Sequence, residues 1–292
     1  MVIYNPKDWF KLIFRLHKSD TIRILSVSML AIALYTFSVA YIEIEFMHIN
    51  NKGTTLLHSL LGFVISLLLV FRTNTAYDRW WEGRKIWGEL VNSSRNISLK
   101  LNVFIPKEDV ERRKKFALII GNFPFALKEH LRDGVNMELL DEYEENSKAK
   151  ISAYKHIPNH IAGLIIEEIN TMYKEKMISG NQLYILDHEI KAFTDITGVC
   201  ERIKNTPIPY SYSLFIKKFV FIYVMSLPFA IIGDIGYYSV AVVVFIFYVL
   251  VSLELIAEEI EDPFGRDAND LPTDEISAKI KDNAHNILIH NK

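Results

Sequence analysis

The chain of 292 residues carries one cysteine, Cys200. No disulfide can close within it, and the usual cysteine-based zinc sites are excluded. The thiol reads as a small buried hydrophobe. An excess of one charge is also missing: 33 Lys and Arg stand against 35 Asp and Glu, so no basic field marks a nucleic-acid partner. Catalytic signatures are missing as well. Neither HExxH, GxGxxG, a P-loop nor a nucleophile elbow occurs. His156 and His160 flank Pro158, which spoils a helical metal pair. Glu258 and Glu259 are adjacent and point in different directions on a helix, so they make no acid–base couple. Together these absences read as a protein that is not an enzyme. Period-2 alternation is not sustained anywhere, which leaves an all-α class. The first 20 residues, MVIYNPKDWFKLIFRLHKSD, are interrupted by charge and lack a small-residue cleavage site, so no secretory signal is read there. Trp9, Phe10, Leu12, Ile13, Phe14 and Leu16, set among Lys7, Lys11, Arg15 and Lys18, read instead as an interfacial amphipathic helix.

What is present is apolar length. Half of the residues are hydrophobic, high for a soluble protein and low for a chain that lies wholly in a membrane. A bilayer core of ~30 Å needs roughly 20 apolar residues of helix. Residues 24–42 and 235–253 contain no charge, and 53–71 contain only His58 as a titratable group. Residues 219–233 form a shorter window with Pro228 inside it.

Loop charges give an orientation. Lys7, Lys11, Arg15, Lys18 and Arg23 precede the first window, and Arg72, Arg79, Arg84 and Lys85 follow the second. The connection between them holds Glu43, Glu45 and, as a full positive charge, only Lys52. Lys217 and Lys218 precede the short window, and residues 233–236 after it suit a tight hairpin. The expectation is four transmembrane helices with both termini cytoplasmic. The segments are an N-terminal amphipathic stretch (1–23), spans one and two (24–71), a cytoplasmic helical region (72–218), spans three and four (219–253) and a cytoplasmic C-terminal segment (254–292).

Within the cytoplasmic region the apolar spacing is helical near 79–103, 107–130, 158–178 and 181–204. In 158–178, Ile161, Leu164, Ile165, Ile169 and Tyr173 share a stripe, and Glu167, Glu168, Lys174, Glu175 and Lys176 mark the wet side. NTPIPYSY, 205–212, is a proline-set connector.

Three constellations have a functional reading beside a structural one. Phe63, Leu67 and Phe71 recur at i, i+4, i+8 on one helix face. Repeated around an axis they would make a hydrophobic constriction that gates by dewetting; otherwise they are ordinary packing. After them Arg72, Asp78, Arg79, Glu82, Arg84, Lys85 and Glu89 interleave with Tyr77, Trp80, Trp81 and Trp87, as an interfacial belt or a buried network. Last, Glu254, Glu258, Glu259, Glu261 and Asp262 lead into PFGRDAND. These are hard oxygens that suit calcium but lack EF-hand spacing. Asp267 and Asp270 could equally cap a later helix or pair with basic residues.

FRTNTAYDRWWEGRKIWGELVNSSRN at 71–96, CERIKNTPIPYSY at 200–212 and EEIEDPFGRDANDLP at 258–272 resemble the bestrophin ion channels, in their bacterial branch, over nearly the whole chain. The resemblance implies a homopentamer of a bacterial inner membrane, passing monovalent ions with no cofactor or chemical step. Its pore neck would be formed by Phe63, Leu67 and Phe71, with Leu67 where animal members tend to have an aromatic. It also implies a cytoplasmic constriction on the helix before Cys200, with Leu183, Ile185 and Leu186 as candidates. In calcium-gated animal members an acidic cluster after the PFG turn forms a calcium clasp. This chain keeps Asp267 and Asp270 but has Arg266 and Ala268 where those members have acids, so a degenerate clasp is expected and calcium binding is not. Partners are further copies of the chain, membrane lipid and the ions. Ion sign stays open: ring edges favour anions, whereas a cytoplasmic part rich in Glu and Asp favours cations. The rival from another class is a membrane-anchored helical signalling or scaffold protein. A secondary transporter is disfavoured by the shortage of titratable groups in the spans and the lack of an inverted repeat.

Overall fold

The computed structural model describes residues 21–47, 55–132 and 134–290. The amphipathic helix expected in 1–23 lies almost wholly outside them, as does Lys52. Every regular element among the described residues is helical. Helix α1, Thr21–Tyr41, runs on into a π-helical stretch, Ile42–Met47. Helix α2, Thr55–Phe104, is one element of 50 residues. No proline falls inside it, so every residue after the first turn can donate its backbone N–H, and the helix stops just before Pro106. Next come α3 (Val110–His130), α4 (Ser147–Ser152), α5 (Ile157–Lys174) and α6 (Gly180–Asn205). The last four are α7 (Tyr210–Ser226), α8 (Pro228–Ile235), α9 (Ser239–Glu261) and α10 (Thr273–Leu288).

The chain divides into two compact units. One comprises the residues up to Trp80, Pro207–Asp262 and Asp267–Asn269; the other comprises Trp81–Thr206, Pro263–Arg266 and the residues from Asp270 onward.

In the first unit Ile65 and Leu69 of α2 pack with Ile216, Val220, Tyr223 and Val224 of α7 and with Val243 and Leu250 of α9. Helix α1 lies along α9, and Tyr35 Oη donates to the carbonyl of Met225 at 2.8 Å. Gly62 permits the close approach of α2 to α7, because a Cβ there would sit 2.8 Å from Tyr223 Oη. The exterior is apolar: Val27, Leu30, Leu34, Phe221, Ile222 and Phe245 are all exposed. Three helical stretches are long and apolar enough to cross a membrane, in Thr21–Met47, Thr55–Phe104 and Gly180–Glu261. The window 219–233, read as one span, is two helices joined at Leu227. Pro228 has no N–H for the carbonyl four residues back, so α7 ends at Ser226 and α8 starts afresh. Leu227 stays helical at φ −60°, ψ −39°, which makes the join a kink.

The second unit has a closed core. Phe123 and Phe193 meet edge to face at 4.7 Å, with Phe116, Leu127, Ile161, Ile165 and Ile190 buried around them. Helix α3 packs against α10 and α5, and α5 against α6. Buried Arg113 closes the end of α2, donating to the carbonyls of Asn102, Ile105, Pro106 and Leu288 at 2.7 to 3.2 Å. Those carbonyls include acceptors that a helix C-terminus leaves without partners. Helix α6 opens with a capping box: Ser179 Oγ accepts from Gln182 N, and Gln182 Oε1 accepts from Ser179 N.

Helix α5 is shorter than the 158–178 pattern implies. Lys176 adopts φ 61°, and the Met177 and Lys176 N–H groups turn back to the Met172 and Tyr173 carbonyls, closing a Schellman motif. Its buried stripe is Ile161, Ile165, Ile169 and Met172, while Tyr173 is exposed. Cys200 is fully buried, and burial pushes its thiol up to about 12.

Candidate functional site: an exposed apolar row above a buried arginine

Helix α2 has two unlike faces along its apolar half. Ile65, Leu69, Arg72 and Ala76, spaced by four, three and four residues, are each at most 1% exposed. Phe63, Leu67 and Phe71 lie about 200° around the helix from Ile65 and Leu69. They are 70%, 46% and 55% exposed. The three residues expected to form a neck therefore share one outward row, and the packing of the unit is carried by the other face.

The row ends one residue before Arg72, which is fixed by acids from α9. Arg72 Nη2 lies 2.7 Å from Glu261 Oε2, and Nε lies 3.5 Å from Glu254 Oε2. All three side chains are buried or nearly so, which makes the loss of either sign costly. Glu261 also accepts the Ile208 N–H at 2.7 Å, and its carbonyl accepts from Arg79 Nε at 3.1 Å. From the sequence Arg72 is a loop charge and a member of a possible buried network, and Glu254 and Glu261 belong to an acidic run; the pairing between them is not read there. The available signal was a lone arginine directly after one span and acids directly after another.

The acidic run is engaged with protein groups. Besides Glu254 and Glu261, Glu258 accepts from Lys217 at 3.0 Å, and Glu259 accepts from Asn269 Nδ2 at 2.6 Å. Asp267, in the first unit, is exposed; Asp270, in the second, is buried. The N-cap position of α10 is Pro272, so neither aspartate occupies it. Arg266 reaches Glu129 Oε2 at 3.6 Å. Of the aromatics after Arg72, Trp87 is fully buried, Tyr77 and Trp81 are exposed, and Trp80 Nε1 donates to the Asn269 carbonyl at 2.9 Å.

The three constriction candidates on α6 have different environments. Leu186 is fully buried in the second unit. Leu183 is half-buried and lines a cavity of about 410 Å³ with Ile166, Ile169 and Ile190. Ile185 is 43% exposed beside Tyr184, which is 79% exposed.

His156 and His160 do not face each other. His160 stacks on Tyr154 at 3.6 Å between ring centroids, whereas His156 turns to Glu201 and His130. Pro158 sits in the first turn of α5 without breaking it, so the proline is not what separates the two rings: His156 is the N-cap residue and finds its partners on other helices.

The described residues thus form an all-helical protein with helices long and apolar enough to cross a membrane and an exposed apolar row on one of them. A family profile described as Bacterial/Fungal Bestrophin protein matches residues 1–286. The chain belongs to the bestrophin family, whose members are channels and not enzymes. It is 34% identical to the voltage-dependent anion channel-forming protein alr2987 of a Nostoc species, over 95% of this chain and 91% of that one. It is 30% identical to the voltage-dependent anion channel-forming protein YneE of Escherichia coli K12, over 96% and 92%. The crystal structure of a single-residue variant of a bacterial bestrophin homolog from Klebsiella pneumoniae superposes with a TM-score of 0.82 at 29% identity. That match covers 90% of this chain and 98% of the other.

Proposed function

We propose that the chain is one subunit of a homopentameric channel in a bacterial inner membrane, passing monovalent anions through a neck of Phe63, Leu67 and Phe71. The observation that carries this reading is the exposure of those three side chains on the face of α2 opposite its packed face. Five copies around an axis would turn each residue into an apolar ring, and such rings gate by dewetting. The phenyl edges of Phe63 and Phe71 present partial positive charge to an ion, which favours anions. The names of the Nostoc and E. coli relatives agree with that sign.

In this reading α1, the rest of α2's apolar half, the kinked pair α7–α8 and α9 are four spans, with positive loops and both termini on the cytoplasmic side. The domain limits given from the sequence follow from that topology. Membrane lipid covers the exposed apolar residues of α1, α7 and α9. Of the α6 candidates, Ile185 is the one free to line a cytoplasmic constriction, since Leu186 is enclosed and Leu183 faces a cavity. Calcium has no required role: the glutamates of the acidic run are held by Arg72, Lys217 and Asn269, and Arg266 adds a like charge next to Asp267.

The test is the reversal potential of the reconstituted channel in a chloride gradient, with Phe71→Ala beside wild type and with calcium raised to micromolar levels. The expected result is a reversal potential on the chloride side, a larger current for Phe71→Ala and no response to calcium. A cation reversal potential overturns the sign. An unaltered Phe71→Ala current overturns the neck, and calcium activation abolished by Asp267→Ala overturns the degenerate clasp. Mass measurement in detergent reads the oligomer directly.

A further inference from the structure

Three helices of the second unit bring two imidazoles and a carboxylate to one point. His130 is the last residue of α3, His156 is the N-cap residue of α5, and Glu201 lies near the end of α6. His130 Nε2 is 2.7 Å from Glu201 Oε1, and His156 Nε2 is 2.8 Å from the same oxygen. The two rings are 4.6 Å apart between centroids and 39° from parallel. The three atoms lie within 4.8 Å of one another. The side chains are 26%, 34% and 31% exposed, so an ion in water can reach them.

We infer that His130, His156 and Glu201 form a binding site for a divalent transition metal of the zinc type. Two imidazole nitrogens and one carboxylate oxygen are the protein donor set that zinc takes when a fourth position is left to water. Calcium and magnesium take mostly oxygen, so this set discriminates against them. Glu201 supplies the negative charge. Burial works against its ionisation, but hydrogen bonds from His130 and His156 hold its carboxyl below the ordinary carboxylate range. His130 also sits at the negative end of the α3 helix dipole, which favours a cation.

Ion entry changes the site in a defined way. Ligand bonds of ~2.0–2.1 Å in a tetrahedron place neighbouring donor atoms about 3.3 Å apart, so the two imidazole–carboxylate pairs open by roughly half an ångström. His156 Nδ1 accepts the Asn159 N–H at 3.2 Å and so caps α5. That bond assigns the proton of the neutral ring to Nε2. A metal on Nε2 displaces this proton, and the ring carries it on Nδ1 instead, where it can no longer accept from Asn159. Metal binding therefore exchanges the α5 cap for a ligand bond.

The experiment uses the full chain in detergent, stripped by a chelator and titrated with zinc by calorimetry, with magnesium and calcium as comparisons. One zinc per chain is expected, with magnesium and calcium binding at least tenfold weaker. His130→Ala and Glu201→Gln should each lower zinc affinity tenfold or more, and His160→Ala should leave it unchanged. Helical circular dichroism and elution volume confirm folding, and Glu201→Gln keeps an acceptor for the rings. Zinc should also speed amide exchange at Asn159. Absence of zinc binding to the wild-type chain, or wild-type affinity retained in His130→Ala and Glu201→Gln, overturns the site. Unchanged exchange at Asn159 with zinc bound removes His156 from it.

Discussion

The two units of the chain solve the same packing problem with opposite exteriors. The first exposes phenylalanines and leucines and encloses a charged cluster, Arg72 with Glu254 and Glu261. The second exposes charge and encloses an apolar core, and several polar groups within it are paired. Asn122, for example, pairs with the Asp141 backbone in both directions, at 2.8 and 2.7 Å. The difference teaches which solvent each unit is built for. An apolar exterior has no drive to hide when lipid surrounds it, whereas the second unit needs the ordinary hydrophobic effect to hold its helices together.

The largest effect expected from breaking this contrast is at Arg72. Arg72→Leu strands two carboxylates in a nearly closed site, and losing one partner of such a group costs about 3–5 kcal/mol. The thermal midpoint of the detergent-solubilised chain should fall accordingly; an unchanged midpoint would show that water reaches the cluster. Next is Leu186→Ala in the second unit, at about 2–5 kcal/mol for a buried leucine. Ile185→Ala on the same helix should stay within about 0.5 kcal/mol. Equal losses at the two positions would erase the distinction between the enclosed and the exposed side of α6.

Gly62→Ala is expected to cost about 1–3 kcal/mol by overpacking against Tyr223 Oη. Tyr223→Phe in the same chain should restore most of it, because the clash is with the hydroxyl. A double-mutant cycle without coupling would place the conflict elsewhere.

The smallest effect concerns acid and Asp274, on the first turn of α10. Burial opposes its ionisation, yet hydrogen bonds from Arg132 and Lys128 hold its carboxyl at about 2, below the ordinary 3.8. A depressed folded-state value gives stability that is complete above about pH 4 and disappears as pH falls towards 2. Because the side chain is 64% exposed, screening reduces the contribution to about 1 kcal/mol or less. Asp274→Asn should flatten the midpoint-against-pH curve in that window by lowering neutral-pH stability by that small amount while leaving stability near pH 2 unchanged. A curve as steep as wild type would assign acid loss to another carboxylate.

Much of the fold was legible because helices are written locally. The absence of proline from Thr55 to Phe104 and its return at Pro106 define a single long helix. Apolar positions at helical spacing locate α5 and α6, whereas the window holding Pro228 reads as one span and is two helices. Boundaries were less legible where a conformation, not a residue type, decides them. Lys176 in a left-handed conformation ends α5 before its charged pattern runs out.

The sequence by itself determined most of the long helices, the apolar lengths, the spacing of Phe63, Leu67 and Phe71 and the family, because each is a pattern in neighbouring residues. Tertiary structure alone decided which charges are paired and which leucine is enclosed. Arg72 meets acids 182 and 189 positions away, and His130 meets Glu201 across 71. No local spacing encodes such meetings: they follow from how the helices pack, and packing sets the dielectric and the partners that give each group its chemistry.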